Sequence, residues 1–131
     1  MKKLLLYLII LSIVTGCNYT GIKVKGSWNI QSYEGDFDLI TRHLNLKSDN
    51  TCDLPLTDLN HRNTSQVIGE WKSYNKDNKV ILVITSDNKI FEGEYEMSNW
   101  RRELDKESYG YFIKATFSNN KIILNCAKAE N

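Results

Sequence analysis

Apolar and polar residues alternate along most of the chain, in short runs that polar turns interrupt at a spacing of roughly 8–12 residues. In the clearest run, Phe91, Tyr95 and Met97 alternate with glutamates. Successive side chains of a strand point to opposite faces, so a period of two indicates a strand with one core face and one solvent face.

Similar alternating segments follow one another along the chain. They predict eight strands, at 26–33, 40–47, 51–56, 67–74, 80–85, 90–97, 109–117 and 122–127. The segment 98–108 breaks the alternation and is predicted to be irregular or to contain a helical turn. Polar turns recur too often for a helix of about ten residues or more, which indicates an all-β domain.

We expect these strands to close into an eight-stranded antiparallel up-and-down β-barrel. A linear meander would expose the edges of its first and last strands, and closure pairs those edges. Alternate turns of such a barrel share an end. The loops 34–38 and 57–66 are therefore expected to lie at the end opposite Gly26, where the first strand begins.

The N-terminus has a different composition from the rest of the chain. Two lysines precede a nearly unbroken apolar run from Leu4 to Val14. This run is shorter than the roughly 20 residues that a membrane-spanning helix needs, so residues 1–16 are interpreted as a signal peptide. The sequence Val14-Thr15-Gly16-Cys17 resembles the lipobox of bacterial lipoproteins, which implies that Cys17 is lipidated. The alternative is ordinary cleavage that leaves Cys17 buried or disulfide-bonded.

The lipobox divides the chain into a signal peptide at 1–16, a lipidated N-terminus and linker at 17–25, and a barrel at 26–131. The implied location is the cell envelope, with a lipid anchor holding the protein to a membrane. In a Gram-negative cell, Asn18 after the cysteine implies the outer membrane, with the protein facing the periplasm.

Length and charge limit the classes of function. The chain has 131 residues, and its 17 Lys and Arg against 16 Asp and Glu give a formal net charge of +1. This length accommodates a single domain. A balance this even supplies no basic field for a phosphate backbone, so no nucleic-acid partner is expected.

The chain carries the motif G-x-W twice, as Gly26-Ser27-Trp28 and as Gly69-Glu70-Trp71. This motif resembles the one that opens the first strand of lipocalins, where the indole plugs the closed end of the barrel. With the lipobox and the strand count, it resembles the short bacterial lipocalin-like lipoproteins over nearly its whole length. Classical lipocalins stack an arginine of the last strand on the first tryptophan. Here Lys121 or Lys128 would have to make that cation–π contact.

Residues for catalysis are not evident. The two histidines, His43 and His61, are expected on the outer face of a strand and in a loop, and no nucleophile, phosphate-binding or metal motif is present. We therefore predict that the protein is not an enzyme and needs no cofactor or metal. Cys52 and Cys126 form an even pair in an exported chain, which leaves a disulfide and two buried thiols as alternatives.

Two functions are compatible with this pattern. The first is binding of a small apolar ligand at the open end of the barrel. Its candidate lumen residues are Phe91, Tyr95, Met97, Tyr111 and Phe117, and its candidate rim residues are Phe37, His61 and Arg62. The second is a protein-interaction module of the envelope, an assembly component or an inhibitor of a cell-wall-directed enzyme, that acts through the loop 57–66.

One aromatic and basic segment has two interpretations. Trp100, Arg101, Arg102 and Leu104 follow one another closely within 98–108. The segment either contacts lipid headgroups or a partner, or packs on the outer face of the apolar strand 80–85.

Overall fold

The computed structural model describes residues 24–62 and 64–130. The predicted signal peptide and Cys17 lie outside this part of the chain. Eight strands are present: β1 Gly26–Glu34, β2 His43–Leu46, β3 Thr51–Leu54, β4 Val67–Lys76, β5 Lys79–Thr85, β6 Gly93–Leu104, β7 Tyr111–Ser118 and β8 Ile123–Ala129. Among the described residues, no helix has the length and apolar character needed to cross a bilayer.

The strands form a closed barrel in sequence order, and each pairs antiparallel with its neighbours. Closure is made by β1 and β8, in a register that includes Asn29 opposite Ala127 and Glu34 opposite Ile123. This ladder pairs the edges that an open meander would expose. The predicted eight-stranded up-and-down barrel is confirmed.

The segment 98–108 differs from its prediction. A bulge between Ser98 and Arg101 adds one residue to β6, and Asn99 adopts a left-handed φ of 52° there. The bulge interrupts the alternation of side chains without ending the ladder, because Arg101 again pairs with Lys114 and Leu104 with Tyr111. What looked irregular is therefore the continuation of a long hairpin, and only 105–110 form its turn.

The barrel has two ends, which we name by the chain. The near end contains Gly26 and the turns after β2, β4 and β6. The far end contains the turns after β1, β3, β5 and β7, including the loop 55–66. The strand order therefore puts this loop opposite Gly26, as the parity of the turns predicted.

Inward side chains form a hydrophobic core inside the barrel. The largest fully buried ones come from β1, β2, β5, β6, β7, β8 and the flanking segments: Trp28, Tyr95, Phe91, Phe117, Ile30, Leu44, Leu46, Leu82, Ile84, Leu124 and Val24. A second bulge, at Gln31 between Ile30 and Ser32, reverses the parity of β1. Before the bulge, the inward residues Trp28 and Ile30 have even numbers. After it, the odd-numbered Tyr33 packs against the core.

Candidate functional site

Trp28 plugs the near end of the barrel. Its side chain is fully buried, its indole Nε1 donates a hydrogen bond of 2.8 Å to the carbonyl of Val24, and its ring meets Phe117 edge-on at 5.2 Å. The ammonium of Lys128 lies 4.7 Å from the centre of the Trp28 ring. Of the two lysines considered for this cation–π contact, Lys128 makes it.

The glycine of the first motif, Gly26, is required by this arrangement. Gly26 has a φ of 142°, and a Cβ there would lie 2.9 Å from Cδ of Lys128. Lys128 also donates a hydrogen bond to the carbonyl of Lys25. Burial, with a smaller contribution from the charge of Lys25, lowers the pKa of Lys128 to about 8. The near end thus encloses a cation between an indole and a backbone carbonyl.

The second motif packs beside the turn between β2 and β3, which belongs to the near end. Trp71 is buried, and its Nε1 donates a hydrogen bond of 2.9 Å to the carbonyl of Lys47, in the turn between β2 and β3. A Cβ on Gly69 would lie 2.7 Å from the backbone oxygen of Thr85 and 3.3 Å from Sγ of Cys52. Glycine at this position allows close approach between β4 and its neighbours.

The far end is closed as well, which corrects one predicted rim residue. Phe37, expected at an open rim, is buried. Its ring stacks on Tyr33 with centroids 5.6 Å apart and meets Phe91 edge-on at 5.3 Å. The loop after β1 folds Phe37 inward because the rings of Tyr33 and Phe91 offer it an apolar seat.

Four of the five candidate lumen residues are inside the barrel. Phe91, Tyr95, Met97 and Phe117 are buried, and the hydroxyl of Tyr95 donates a hydrogen bond of 2.8 Å to the carbonyl of Phe91. Burial raises the pKa of Tyr95 far above its ordinary value. Tyr111 is the exception, with 42% of its surface exposed. It lies on the part of β7 near the turn 105–110, where Glu130 after β8 donates its backbone N–H to Tyr111.

Cys52 and Cys126 are free, buried thiols, so the disulfide alternative is not formed. Cys52 lies on β3 and Cys126 on β8, and β1 and β2 separate these strands around the wall. Burial raises the pKa of Cys52 to about 11 and that of Cys126 to about 12. Both thiols are therefore core residues that stay protonated at neutral pH.

The loop after β3 is held in one conformation by its own polar groups. Thr57 is fully buried, and its backbone N–H donates a hydrogen bond of 2.6 Å to Oδ1 of Asn60. The amide of Asn60 donates in turn to the carbonyl of Pro55, and a ring nitrogen of His61 lies 2.8 Å from the carbonyl of Thr57. This network orders 55–61 without a regular secondary structure.

The same loop is bound to the loop after β1. Leu39 and Thr57 form an isolated antiparallel bridge, and the backbone N–H of Asp38 donates to a carboxylate oxygen of Asp58 at 2.9 Å. On top of this pair of loops, Ile40 is 54% exposed and Leu59 is 60% exposed. His61 and Arg62, the other predicted rim residues, are exposed beside them. We call these residues, 36–42 and 57–62, the far-end platform.

An outer groove of about 630 Å³ lies on the wall, between β3, the start of β4 and the turn after β5. It forms where β4 extends beyond its ladder with β5, which begins at Glu70 opposite Thr85. The hydroxyl of Ser86 donates a hydrogen bond of 2.9 Å to the carbonyl of Ile68 across this divergence. Ile68 lines the groove with 65% of its surface exposed.

The groove has a negative balance of charge. Its charged lining residues are Asp53, Glu70, Asp87, Glu92, Lys47 and Lys89. Lys47 lies 3.2 Å from Asp53, and Lys89 lies 2.7 Å from Glu92. The carboxylates of Glu70 and Asp87 supply the excess negative charge.

Candidate catalytic groups are dispersed over the molecule. His43 is exposed on β2 near the far end, and His61 lies in the far-end platform. Glu94 lies outside the barrel, where its carboxylate accepts a hydrogen bond of 3.3 Å from the hydroxyl of Tyr74. Within 24–62 and 64–130, no group of three His, Cys, Asp or Glu side chains is close enough together to hold a metal ion.

Comparison with known proteins supplies no function by similarity. No family model, no curated protein and no solved structure matches this chain.

The outer groove was not anticipated from the sequence, although Ile68 has the outward parity of its strand, next to the inward Val67 and Gly69. An isoleucine at such an outward position is the signal that could have indicated this face.

Proposed function

We propose that the protein is a non-catalytic, lipid-anchored component of the bacterial cell envelope whose barrel is a rigid scaffold for binding another envelope protein. Its binding surface would consist of the far-end platform and the outer groove. The filled interior carries this proposal. Because Trp28, Tyr95, Phe91 and Phe117 occupy the lumen, recognition is assigned to the outside of the barrel.

The ordered loops support a role in binding. A loop that already has one conformation loses little entropy when a partner binds, and the contacts of Thr57, Asn60 and His61 provide that order. Ile40 and Leu59 offer apolar contact area at the centre of the platform.

The groove suggests the chemistry of the partner. Its excess of carboxylates favours a basic segment, and the exposed Ile68 favours an apolar side chain within that segment. Charge complementarity of this kind mainly increases the rate and specificity of association. We therefore expect the partner to bind with a lysine- or arginine-containing segment, and to bind more weakly at high salt.

A carrier of a small apolar ligand is the competing hypothesis. Such a carrier needs space among the lumen residues and an entry at the far end. Phe37, packed between Tyr33 and Phe91, fills that entry. The geometry therefore favours the interaction module.

The proposal is tested by photo-crosslinking in the intact cell envelope. A photoreactive amino acid is introduced at Leu59 in the platform, at Ile68 in the groove, and at Asn29, which is exposed on β1. We expect Leu59 and Ile68 to give an adduct with the same protein, and Asn29 to give none. Equal labelling from all three positions, or from none, would contradict the proposed surface.

Charge reversal separates the groove from the rest of the wall. Asp87→Lys is expected to reduce the adduct from Ile68, because it removes the negative excess of the groove. Glu94→Lys makes the same change of charge at an exposed position outside the groove and is the matched control. If both variants reduce the adduct equally, the effect reflects net charge alone, and the groove is not the binding site.

A further inference from the structure

The hairpin of β6 and β7 extends the near end of the barrel. The ladder between β5 and β6 ends at Val80 opposite Met97, whereas β6 continues to Leu104. Its pairing with β7 continues to Leu104 opposite Tyr111, and the turn follows. We call residues 98–111 the hairpin arm.

Exposed apolar side chains are concentrated on this arm. The described residues include seven large apolar side chains with substantial exposure, and four of them are Trp100, Leu104, Tyr109 and Tyr111. Their exposed fractions are 38%, 52%, 84% and 42%. Tryptophan and tyrosine have an apolar ring with a polar group, which suits them to the boundary between water and a bilayer.

The turn of the arm holds Tyr109 outward. Tyr109 has a left-handed φ of 57°, which is costly for a bulky residue. Its N–H donates a hydrogen bond of 2.9 Å to the carbonyl of Asp105, and the N–H of Asp105 donates to the carbonyl of Gly110 at 2.7 Å. The ring therefore projects from a fixed turn at the extreme near end.

The near end is more basic than the far end. Its segments 24–26, 47–50, 76–79, 101–111 and 128–130 contain eight basic and six acidic residues. The far-end segments 34–42, 55–66, 86–92 and 119–122 contain four basic and six acidic residues. The arm itself contains Arg101, Arg102 and Lys106 and the same number of acidic residues, Glu103, Asp105 and Glu107, so the basic excess belongs to the near end as a whole. Arg101 pairs with Glu103 and Arg102 with Glu130. An anionic phospholipid surface attracts such an end, by about 1 kcal/mol for each basic residue close to it.

The length of the chain before the barrel limits how far this end can lie from the membrane. Val24 is buried at the near end, and Cys17 lies seven residues before it. Seven extended residues span at most about 25 Å. Lipidation of Cys17, which belongs to the proposed function, would therefore keep the near end within about 25 Å of the bilayer.

We propose that the hairpin arm is a membrane-contact surface that binds the anionic headgroup region of a phospholipid bilayer. Leu104 and Tyr109 enter the boundary between headgroups and acyl chains, while Arg101 and Lys106 contact phosphate groups. The lipid on Cys17 supplies the anchoring, and the arm sets the orientation. The far-end platform then faces away from the membrane. This inference rests on the proposed anchoring, and the experiment below provides the tether independently.

The test uses the mature chain 17–131, coupled through Cys17 to a maleimide lipid in vesicles. The buried Cys52 and Cys126 do not compete for the maleimide in the folded protein. Trp100→Phe removes the tryptophan of the arm, and Tyr109→Trp introduces a reporter at the turn. Leu59→Trp, in the same background, is the matched control at the far end, where the native side chain is 60% exposed.

Fluorescence is measured in vesicles of phosphatidylcholine and phosphatidylglycerol, with and without bromine on the acyl chains near the headgroup. Insertion to a depth of roughly 5–10 Å should quench the emission that Tyr109→Trp adds to that of the buried Trp28 and Trp71, and the emission that Leu59→Trp adds should not be quenched. Equal quenching at the two positions, or no quenching at Tyr109→Trp, would overturn the proposal. Flotation of the natural lipoprotein tests the anchoring separately, so the two ideas fail independently.

Charge is tested in the same vesicles. The double variant Arg101→Glu and Lys106→Glu should lose most of the Tyr109→Trp quenching, whereas Arg62→Glu with Lys121→Glu at the far end should retain it. Quenching should also decrease in vesicles of phosphatidylcholine alone. The tryptophan of Tyr109→Trp could also become shielded from water only at high protein density and independently of lipid charge. In that case the arm binds a second copy of the chain, and the membrane proposal is wrong.

Discussion

At the near end of the barrel, the closing side chain, Trp28, belongs to a strand of the wall. At the far end the closing side chain, Phe37, belongs to a loop. Trp28 is fixed by the hydrogen bond to Val24, the ring of Phe117 and the ammonium of Lys128. Phe37 contacts the rings of Tyr33 and Phe91.

This difference gives the two ends different structural roles. Removing Trp28 would disturb the ladder in which it lies, because Trp28 pairs with Leu44 and its ring supports β7 and β8. Removing Phe37 would leave every ladder intact. The near end is thus part of the structural frame, whereas at the far end the ring of Phe37 covers the core beneath the far-end platform.

The largest expected effect is that of Trp28→Ala. A fully buried tryptophan replaced by alanine leaves a large cavity and exposes the partner carbonyl of Val24, so the free energy of unfolding should decrease by about 3–5 kcal/mol. Equilibrium urea unfolding measures this change. A loss below about 1 kcal/mol would mean that Trp28 does not support the near end.

Phe37→Ala should have a smaller effect, near 2 kcal/mol, because the loop after β1 can partly collapse into the space that the ring leaves. The wall should remain intact, which amide hydrogen exchange of β1 and β8 would report. A loss as large as that of Trp28→Ala, with faster exchange in both strands, would show that the loop belongs to the frame.

The next effect concerns pH at the near end. Burial lowers the pKa of Lys128 to about 8, from an ordinary value of 10.5. Between these values the unfolded chain binds more protons than the folded protein, so the free energy of unfolding should rise with pH. The stability of the native protein relative to Lys128→Met should increase by about 1 kcal/mol from about pH 7 to about pH 9.

The buried thiols change the free energy of unfolding with pH in the opposite direction. Their contribution therefore has to be separated from that of Lys128. Burial raises the pKa values of Cys52 and Cys126 from 9.0 to about 11 and about 12. The unfolded chain therefore loses these protons first above about pH 9, and stability falls there. Both proteins contain the two thiols, so the difference between them isolates Lys128. A difference that does not change with pH would mean that Lys128 is not buried as a cation.

The smallest effect is expected at the surface of both ends. Leu104→Ser on the hairpin arm and Leu59→Ser on the far-end platform should each change the free energy of unfolding by less than about 0.5 kcal/mol. Both side chains are more than half exposed. A loss of about 2 kcal/mol at either position would assign that residue to packing instead of binding.

The sequence predicted the barrel because its signal is local. Inward residues such as Tyr95 and Phe117 repeat with a period of two, and polar turns separate the strands. The extension of β6 was missed because the bulge between Ser98 and Arg101 breaks this parity within a continuous ladder. Local patterns carry no information on a pairing that resumes after an inserted residue.

The candidate sites were less predictable, for physical reasons. Phe37 lies in a loop, and only the tertiary structure shows that its ring turns inward on Tyr33 and Phe91. The outer groove results from the divergence of β4 and the turn after β5, which no single segment encodes. The sequence left two lysines, Lys121 and Lys128, as candidates for the cation–π contact with Trp28. The register of β8 places Lys128 over the ring.

The central claim is that the barrel is filled by its own side chains and recognises partners with its outer surface. Its most direct test is native mass spectrometry of the Cys17→Ser variant. This variant is exported with an ordinary signal peptide, which is removed, and the mature chain is then purified from the envelope without detergent. We predict that this protein has the mass of the polypeptide alone, both with Phe37 in place and in the Phe37→Ala variant. A stoichiometric apolar ligand retained by the native sequence would contradict the claim and assign the lumen to ligand carriage.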